Sequence, residues 1–327
     1  MSFNFKINMY PLVSIVIVCM NNLKNLYPCL NSIKKYTTLE YETFVVAYLF
    51  SEENLMKAKA SFPWVSFIES NEIRGFSENN NLALRQVKGK YCAILNDDTE
   101  FVSPLIEELV HSMESLPEDT AIVSPTTYYP DFSVQCCGRP PISIYHYILS
   151  EFGLWSDQRI KSNYTHQKGL FKSYNILGAA FLIKTDIFKR VGWFDERYFF
   201  TPEDIALSTK LNKMGYSCYV NADIHLIHYE GQSRKTSMTY AAIKPASTRG
   251  NLLFFSNGNP LLYLLLVIVN IVKIIPAYIY HFLQSFGKEK PNGHYALMKG
   301  YQYCMESCFT KKTPKELFIK YYNKIKK

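Results

Sequence analysis

Three polar side chains that can bind a metal ion stand together at Asn96-Asp97-Asp98, directly after the apolar run 91–95. This pattern predicts a buried strand that delivers ligands to the edge of a sheet. Hard divalent cations such as Mg²⁺ take oxygen ligands, often one or two carboxylates together with the phosphates of a substrate. The tripeptide therefore predicts a metal that holds a nucleoside diphosphate, although the same residue types also form ordinary solvated turns.

A second pair of carboxylates, Glu203-Asp204, follows Pro202 at the predicted start of a helix. Carboxylates are favoured there by the helix dipole, and this effect alone would explain the pair. A helix start that faces a cleft would also position a general base within reach of a substrate proton. On these residues alone both explanations stay open.

A third polar stretch begins with Arg74-Gly75 and continues into the three asparagines 79–81. Gly75 suits a turn that needs a positive φ or a close approach of two backbones. Asn80 and Asn81 offer amide donors and acceptors that suit a base or a ribose. The alternative is an asparagine-rich helix cap.

The apolar patterns between these motifs predict alternating strands and helices. Strands are predicted at 12–18, 44–47, 65–68, 91–95 and 121–123, and helices at 23–36, 52–61, 76–86 and 103–115. This alternation predicts an α/β fold with a doubly wound, mostly parallel sheet and helices on both faces. Such sheets bind ligands at the carboxyl ends of their strands, where Asn21 and Asp98 both fall. The absence of GxGxxG disfavours a dinucleotide fold, and the irregular stretch 126–166 is predicted to face an acceptor.

Composition limits the class and compartment of the protein. The net charge of the chain is +8, and residues 311–327 contain seven lysines and one acidic residue. These lysines alternate with apolar residues at helical spacing, so no nucleic-acid partner is predicted. The eight cysteines show no repeated CxxC and predict reduced thiols in a cytosolic protein. The run 12–20 resembles a signal peptide, but Asn21-Asn22 follows it, so it is interpreted as the first strand.

The end of the chain predicts contact with a membrane. Residues 261–269 are all apolar, but Lys273 and Pro276 interrupt the apolar pattern beyond them. A helix that lies on or dips into the bilayer is therefore preferred over a true span. From Pro314 a basic amphipathic helix is predicted, which suits an anionic leaflet. The alternative is a pair of helices packed on the catalytic domain. The predicted domains are 1–250 and 251–327.

The motifs, taken in this order, resemble inverting glycosyltransferases of family 2 with the GT-A fold, most closely the rhamnosyltransferase-like branch of bacterial surface polysaccharide synthesis. The resemblance covers about residues 11–250. It rests on Val13 to Asn21, Arg74-Gly75-Phe76 with Asn80-Asn81, Leu95 to Thr99, Val191 to Glu196, Glu203-Asp204, and His228 with Gly231 and Ser233.

The resemblance implies a role for each motif. Asp98 and His228 would bind Mg²⁺ or Mn²⁺, and Asp204, with Glu203 beside it, would deprotonate the acceptor hydroxyl. Donor or nucleotide contacts would come from Val18, Met20, Asn21, Arg74, Gly75, Asn80, Asn81, Asn96 and Asp97, and sugar or acceptor contacts from Trp193, Asp195 and Glu196.

The reaction implied is metal-dependent, inverting transfer of rhamnose or another hexose. The sugar would pass from a nucleoside diphosphate-sugar to a hydroxyl of a growing, lipid-linked glycan of O-antigen or capsule, at the cytoplasmic face of the cell membrane.

Departures from the family pattern put the donor in question more than the catalysis. Tyr48 follows Val45-Val46-Ala47 where an Asp commonly contacts the base, and Ala206 and Lys210 replace a common Asp and Arg. Two other functions stay open. A nucleotidyltransferase would release pyrophosphate, and a catalytically silent scaffold would bind glycan or membrane without turnover.

Overall fold

The structure, a computed structural model, describes residues 10–155, 164, 167–229, 238–289 and 292–326. The motif positions Gly231 and Ser233 lie outside the described residues. The described strands are β1 Val13–Cys19, β2 Tyr41–Tyr48, β3 Ser66–Ser70, β4 Tyr91–Asn96, β5 Thr99–Phe101, β6 Thr120–Tyr128, β7 Val134–Cys136, β8 Leu170–Ser173, β9 Ala180–Lys184 and β10 Ser217–His228.

These strands form one mixed sheet in the order β3-β2-β1-β4-β9-β6-β10-β5, with β7 on β6 and β8 on β10. The strands β3, β2, β1 and β4 are parallel, as is the pair β6 and β10. The inserted strand β9 is antiparallel to both of its neighbours. The predicted mixed, mostly parallel sheet is confirmed.

Helices cover both faces of the sheet. They are α1 Leu23–Tyr36, α2 Glu52–Ser61, α3 Phe76–Leu84, α4 Leu105–Ser115, α5 Ile144–Glu151, α6 Thr185–Arg190, α7 Glu203–Lys213, α8 Met238–Ser256, α9 Pro260–Ser285, α10 Gly293–Phe309 and α11 Pro314–Lys326. Helices α1 and α4 bury one apolar layer against the sheet, and α3, α6 and α7 bury another on the opposite side. A strand covered on both faces needs apolar residues without alternation, which is the pattern of β1.

The stretch 126–166, predicted to be irregular, contains regular elements. Strand β6 continues to Tyr128, β7 pairs with it, and α5 begins after Ser143, whose hydroxyl accepts a hydrogen bond from the His146 backbone N–H. Short elements of this kind depend on partners distant in the chain, so local patterns do not reveal them.

The basic amphipathic helix predicted from Pro314 is present as α11, but the apolar face that was predicted to suit an anionic leaflet packs on protein. In α11, Leu317, Phe318 and Tyr321 are buried against α8 and α10, and the Phe318 ring lies 4.6 Å from that of Phe199. Lys315 forms an ion pair with Glu78 of α3 at 2.7 Å. The alternative, helices packed on the catalytic domain, describes α11.

Helix α9 differs from α11 because it is apolar on both sides. One side packs on α10 and α5 through residues such as Leu266 and Ile274. The other side exposes an apolar stripe whose members mostly lie three or four positions apart, namely Leu261, Leu264, Leu265, Ile268, Val272, Ile275, Ile279 and Leu283, and exposed Phe286 follows the end of the helix. Among the described helices, α9 is the one long and apolar enough to cross a membrane. The predicted domain boundary at residue 250 falls inside α8.

Candidate active site

The predicted metal-binding motif occupies the end of β4, where the central strands of the sheet terminate. Asn96 is the last residue of β4, and Asp98 lies in the turn to β5, with its side chain 9% exposed. Strand β5 pairs with the end of β10 so that Thr99 stands opposite His228. This pairing brings His228 Nε2 to 3.2 Å from Asp98 Oδ1 and 3.4 Å from Asn96 Nδ2. Two predicted site residues from one turn, Asn96 and Asp98, therefore meet a third, His228, from a distant part of the chain.

The contact of the His228 Nδ1 atom indicates which tautomer of the imidazole is present. Its Nδ1 lies 2.7 Å from Gln135 Oε1, an amide oxygen that can only accept, so Nδ1 carries a proton in this arrangement. In the neutral ring Nε2 then presents a lone pair to the Asp98 carboxylate. Two such atoms 3.2 Å apart repel unless a cation or a proton lies between them.

This donor set fits a divalent metal. Asp98 and His228 would supply two ligands, and no cluster of three His, Cys, Asp or Glu side chains suited to a metal occurs among the described residues. A site with few protein ligands suits Mg²⁺ or Mn²⁺, because such ions complete their shell with water and substrate phosphate. Gln135 orients the imidazole as metal-bound histidines are commonly oriented, through the ring nitrogen that does not bind.

The candidate base lies at the same edge of the sheet. Because β9 runs antiparallel to β4, the residues just before β9 lie beside the end of β4, and Asn96 N donates to Ala179 O at 2.9 Å. The preceding residue, Gly178, packs against Asp204: a Cβ built on Gly178 would lie 3.4 Å from Asp204 Cβ. A short chain of contacts thus joins the candidate metal ligands to the candidate base.

Asp204 forms a largely buried ion pair. Its Oδ2 accepts a hydrogen bond of 2.8 Å from Arg139 NH1, and both side chains are 15% exposed. Its Oδ1 accepts from the backbone N–H of Ile205 at 2.7 Å. The carboxylate is fixed by two donors and retains lone pairs for a hydroxyl.

Glu203 has a different environment from its neighbour. Its Oε2 is buried and has no hydrogen-bond partner among the residues that the structure describes, although other atoms of the residue reach solvent. Burial raises the pKa of this carboxyl well above its ordinary value, and the charge of Asp204 raises it further. Glu203 therefore favours the protonated state, so Asp204 is the better candidate base.

The loop 193–196 is held in place by α3. Phe194 is 2% exposed and packs on Phe76, while Asn81 donates to Phe194 O at 2.9 Å and to Glu196 Oε1 at 2.8 Å. Arg85 adds an ion pair of 2.7 Å to Glu196. The polar groups of Asn81 are thus already used to support this loop.

Two further residues of the loop have defined environments. Burial raises the pKa of Asp195, but hydrogen bonds from Arg197 outweigh it, and the net pKa is lowered. Trp193 adopts a φ of +65° and packs its ring on Phe188.

Gly75 permits a close approach of two backbones, as predicted, but the second backbone belongs to the protein. A Cβ on Gly75 would lie 2.1 Å from Phe199 O, which accepts a hydrogen bond of 2.8 Å from Phe76 N. Arg74 bonds to Ser70 and Glu72, and the Asn80 amide donates to Phe76 O. These contacts support the segment that leads to Glu203, and a donor contact by these residues stays a prediction.

The remaining predicted donor residues lie around the ends of β1 and β4. Val18 stands opposite Asn96 in the sheet, Met20 is half exposed, and Asp97 forms a hydrogen bond with the Cys19 thiol. Asn21 Oδ1 accepts from Ser51 N and Asn54 Nδ2, so this side chain joins β1 to the start of α2.

Sequence reasoning missed Gln135 and Arg139, which both lie in the stretch predicted only to face an acceptor. They lie 93 and 65 positions from their partners His228 and Asp204. Gly138-Arg139-Pro140 carried no recognisable signal beyond one arginine in a Pro-rich and Gly-rich segment.

Comparison with known proteins finds similarity to glycosyltransferases. Residues 14–135 match the model of glycosyl transferase family 2. The O-antigen biosynthesis protein RfbC of Myxococcus xanthus is 28% identical over 175 residues, which cover 51% of this chain and 14% of that protein. The rhamnosyltransferase WbbL of Escherichia coli (strain K12) is 26% identical over 182 residues, 53% of this chain and 67% of that protein. The chain thus spans about one seventh of the length of the first relative.

A solved structure shares the fold over most of both chains. The mannosyltransferase PcManGT from Pyrobaculum calidifontis, in complex with GDP-Man and Mn²⁺, superposes with a TM-score of 0.53 at 14% identity, over 93% of this chain and 89% of that one. The GT-A prediction is confirmed by this likeness. Residues 14–135 thus match glycosyltransferase family 2, and the two relatives, an O-antigen biosynthesis protein and a rhamnosyltransferase, agree with the resemblance to the rhamnosyltransferase-like branch of that family.

Proposed function

We propose that this protein transfers a hexose, such as rhamnose, from a nucleoside diphosphate-sugar to a hydroxyl of a surface glycan, with the help of a divalent metal and with inversion at the anomeric carbon. One observation carries the proposal: Asp98 and His228 lie at the same sheet edge as the Arg139–Asp204 pair. Two groups with separate tasks, charge stabilisation and proton removal, therefore stand near one another.

Each residue has a defined task in this reaction. Asp98 and His228 Nε2 would hold Mg²⁺ or Mn²⁺, which supplies Lewis-acid stabilisation of the departing diphosphate. Asp204 takes the proton of the acceptor hydroxyl as that oxygen attacks the anomeric carbon. Attack from the face opposite the leaving group inverts the configuration. Arg139 keeps the Asp204 carboxylate in one orientation before the acceptor arrives.

The proposed acceptor is a growing glycan linked to a lipid at the cytoplasmic membrane surface. The names of the relatives, an O-antigen biosynthesis protein and a rhamnosyltransferase, support a polysaccharide product. The exposed apolar stripe of α9 supports contact with a bilayer, where a lipid-linked acceptor would be found.

The test is nucleoside diphosphate release from a panel of dTDP-, UDP- and GDP-sugars, with and without Mn²⁺ or Mg²⁺, in the presence of membrane lipid extract. We expect turnover of one donor, abolished by EDTA and lowered at least about 100-fold by Asp98→Ala. Asp186→Ala, which changes an exposed carboxylate on α6, is the matched control and should retain activity.

The alternatives give different results in the same assay. Release of pyrophosphate instead of nucleoside diphosphate would identify a nucleotidyltransferase. Donor binding by calorimetry without release of any product would identify a silent scaffold. Metal-dependent turnover that survives in Asp98→Ala would refute the proposed ligand.

A further inference from the structure

A cavity of about 440 Å³ lies between the loop that follows Glu196 and the start of α9. Its walls include Arg197 and Tyr198 from that loop, Arg249 and Leu253 from α8, and Pro260 and Tyr263 from α9. Its volume is within the range of small-molecule sites, roughly 300–1,000 Å³. Asp98, Asp204 and His228 are not among its lining residues, so it is separate from the metal and base positions.

Arg249 is the unusual member of this wall. It is 9% exposed, and its guanidinium donates to the Lys312 carbonyl and to the Tyr263 hydroxyl. No carboxylate lies within 4.0 Å of it in the parts of the chain that the structure describes. Buried charges are normally paired with an opposite charge, because desolvation of an unpaired ion is strongly unfavourable. A buried guanidinium facing a cavity without an acidic partner indicates an anionic ligand.

Two more features of the cavity favour an anion. Arg197 brings a second guanidinium, which is mostly exposed and holds Asp195 at 2.6 Å. The long helix α9 begins at the cavity, so the positive end of its dipole is directed there. Its first N–H groups are already capped by Asn259, so the dipole rather than free donors contributes.

The surroundings of the cavity are apolar, which a soluble anion would not require. Leu253, Pro260 and Tyr263 line it, and Leu261 and Leu264, 76% and 56% exposed, begin the apolar stripe of α9 at its rim. A ligand with a phosphate head group and a hydrocarbon chain would satisfy both features, with its chain along the stripe.

We propose that this cavity binds the diphosphate head group of the lipid that carries the acceptor glycan. The inference rests on the proposed function and identifies how its acceptor is held. The cavity is suitably placed, because Arg197 and Tyr198 directly follow Asp195 and Glu196, and Gly250, next to Arg249, packs against Thr201 O, just ahead of Glu203. The lipid head group is held beside the segments that carry the sugar loop and the base.

Flotation with lipid vesicles tests the proposal without sugar transfer. Phosphatidylcholine vesicles are compared with vesicles that also contain a polyprenyl diphosphate, or phosphatidylglycerol at equal total charge. We expect the polyprenyl diphosphate to raise wild-type affinity at least about tenfold over phosphatidylglycerol, since charge-assisted hydrogen bonds discriminate on that scale. Equal affinity for the two anionic vesicles would overturn the proposal.

Variants assign this preference to the cavity. Arg249→Gln should remove most of the preference for polyprenyl diphosphate vesicles, and Arg249→Lys should retain part of that preference. Arg190→Gln, at an exposed arginine of α6, should leave it unchanged. Arg197→Gln, whose side chain is 75% exposed, should weaken it and is not expected to affect folding, so the test survives if Arg249→Gln does not fold. Preservation of the preference in folded Arg249→Gln and in Arg197→Gln would refute the site.

Inorganic pyrophosphate separates a lipid ligand from a soluble one. It should compete with polyprenyl diphosphate vesicles only at a large excess, because it lacks the chain. Competition at equal concentration would assign the cavity to a soluble diphosphate and overturn the lipid assignment. Donor turnover distinguishes the lipid site from the proposed function. Preference for polyprenyl diphosphate without donor turnover would refute the proposed sugar transfer alone. Donor turnover without that preference would refute the lipid site alone.

Discussion

Glu203 and Asp204 are adjacent in sequence but have opposite electrostatic environments. Asp204 faces the Arg139 guanidinium. The Glu203 Oε2 atom is buried without a hydrogen-bond partner among the described residues. Burial raises the pKa of the Glu203 carboxyl, and the charge of Asp204 raises it further. The raised pKa favours the protonated form of Glu203, which disfavours it as a general base. Asp204, whose carboxylate is oriented by Arg139, is therefore the better candidate to accept a proton.

Glu203→Gln and Asp204→Asn should therefore have unequal effects. A neutral amide resembles the protonated Glu203, so we expect kcat within about tenfold of wild type. Loss of a general base lowers kcat by roughly 10²–10⁴, which we expect for Asp204→Asn. Steady-state kinetics on the donor identified above measures both, and equal losses in the two variants would contradict the assignment.

The same pair predicts a dependence of stability on pH. Because the folded-state pKa of Glu203 is raised above the ordinary 4.5, its favourable contribution is full below pH 4.5 and is lost as pH rises through the folded pKa. Glu203→Gln cannot ionise, so its free energy of unfolding should increase relative to wild type from pH 4.5 towards neutral. Denaturant unfolding at several pH values measures this difference, and a constant difference would contradict a raised pKa.

At the level of single residues the sequence indicates the candidate site residues more readily than the residues that hold them in place. Asp98 and Asp204 belong to short motifs whose residue types suit metal and proton chemistry. Gln135 contacts His228 and Arg139 contacts Asp204, and these contacts appear only when β7 and the following loop fold back on the sheet. No local pattern reports such a contact.

Among the elements, periodicity predicted α1 and α2 with the bounds that the structure has, and most strands to within a few residues. Hydrophobic runs mark such elements because their buried faces are set locally. The insertion of β9 between β4 and β6 was not predicted, since strand order depends on long-range pairing. That insertion brings Ala179 into contact with Asn96, and the preceding residue, Gly178, packs against Asp204.

Gly75 joins two elements that position the site, the start of α3 and the segment before α7. Its replacement by Ala places a Cβ 2.1 Å from Phe199 O, so the backbone must shift. Overpacking of this kind destabilises by about 1–3 kcal/mol. Because the displaced segment leads to Asp204, we also expect kcat to fall by roughly 100-fold, as small misplacements of catalytic groups allow.

Ser77→Ala is the matched control for Gly75→Ala. It lies two residues away in α3, and its buried hydroxyl has no hydrogen-bond partner within the described part of the chain. Removal of the Ser77 hydroxyl should leave the free energy of unfolding unchanged or slightly increased. Thermal unfolding and kcat of the two variants measure the comparison, and normal kcat in Gly75→Ala would mean that the Phe199 segment does not position the base.

In the whole molecule the C-terminal helices differ in what their apolar faces contact, and amphipathic patterns alone do not predict this difference. An apolar helix face predicts burial but not its partner, which is either protein or lipid. In α11 the partner is protein, because Phe318 packs on Phe199 and Lys315 pairs with Glu78. In α9 only one side is buried, and the opposite apolar stripe remains exposed.

That exposed stripe predicts a helix that lies on the bilayer with its length parallel to the surface. Ile268→Glu with Val272→Glu places two charges where side chains are 51% and 54% exposed, so we expect loss of vesicle binding without loss of folding. Met56→Glu, at a 65% exposed apolar residue of α2, is the matched control and should still bind. Flotation with anionic vesicles measures vesicle binding, and circular dichroism measures folding.

The wild-type protein should also dissociate from vesicles in alkaline carbonate, because a helix on the surface of the bilayer is not anchored across it. Retention of the protein on the vesicles would indicate a spanning helix and contradict the surface orientation.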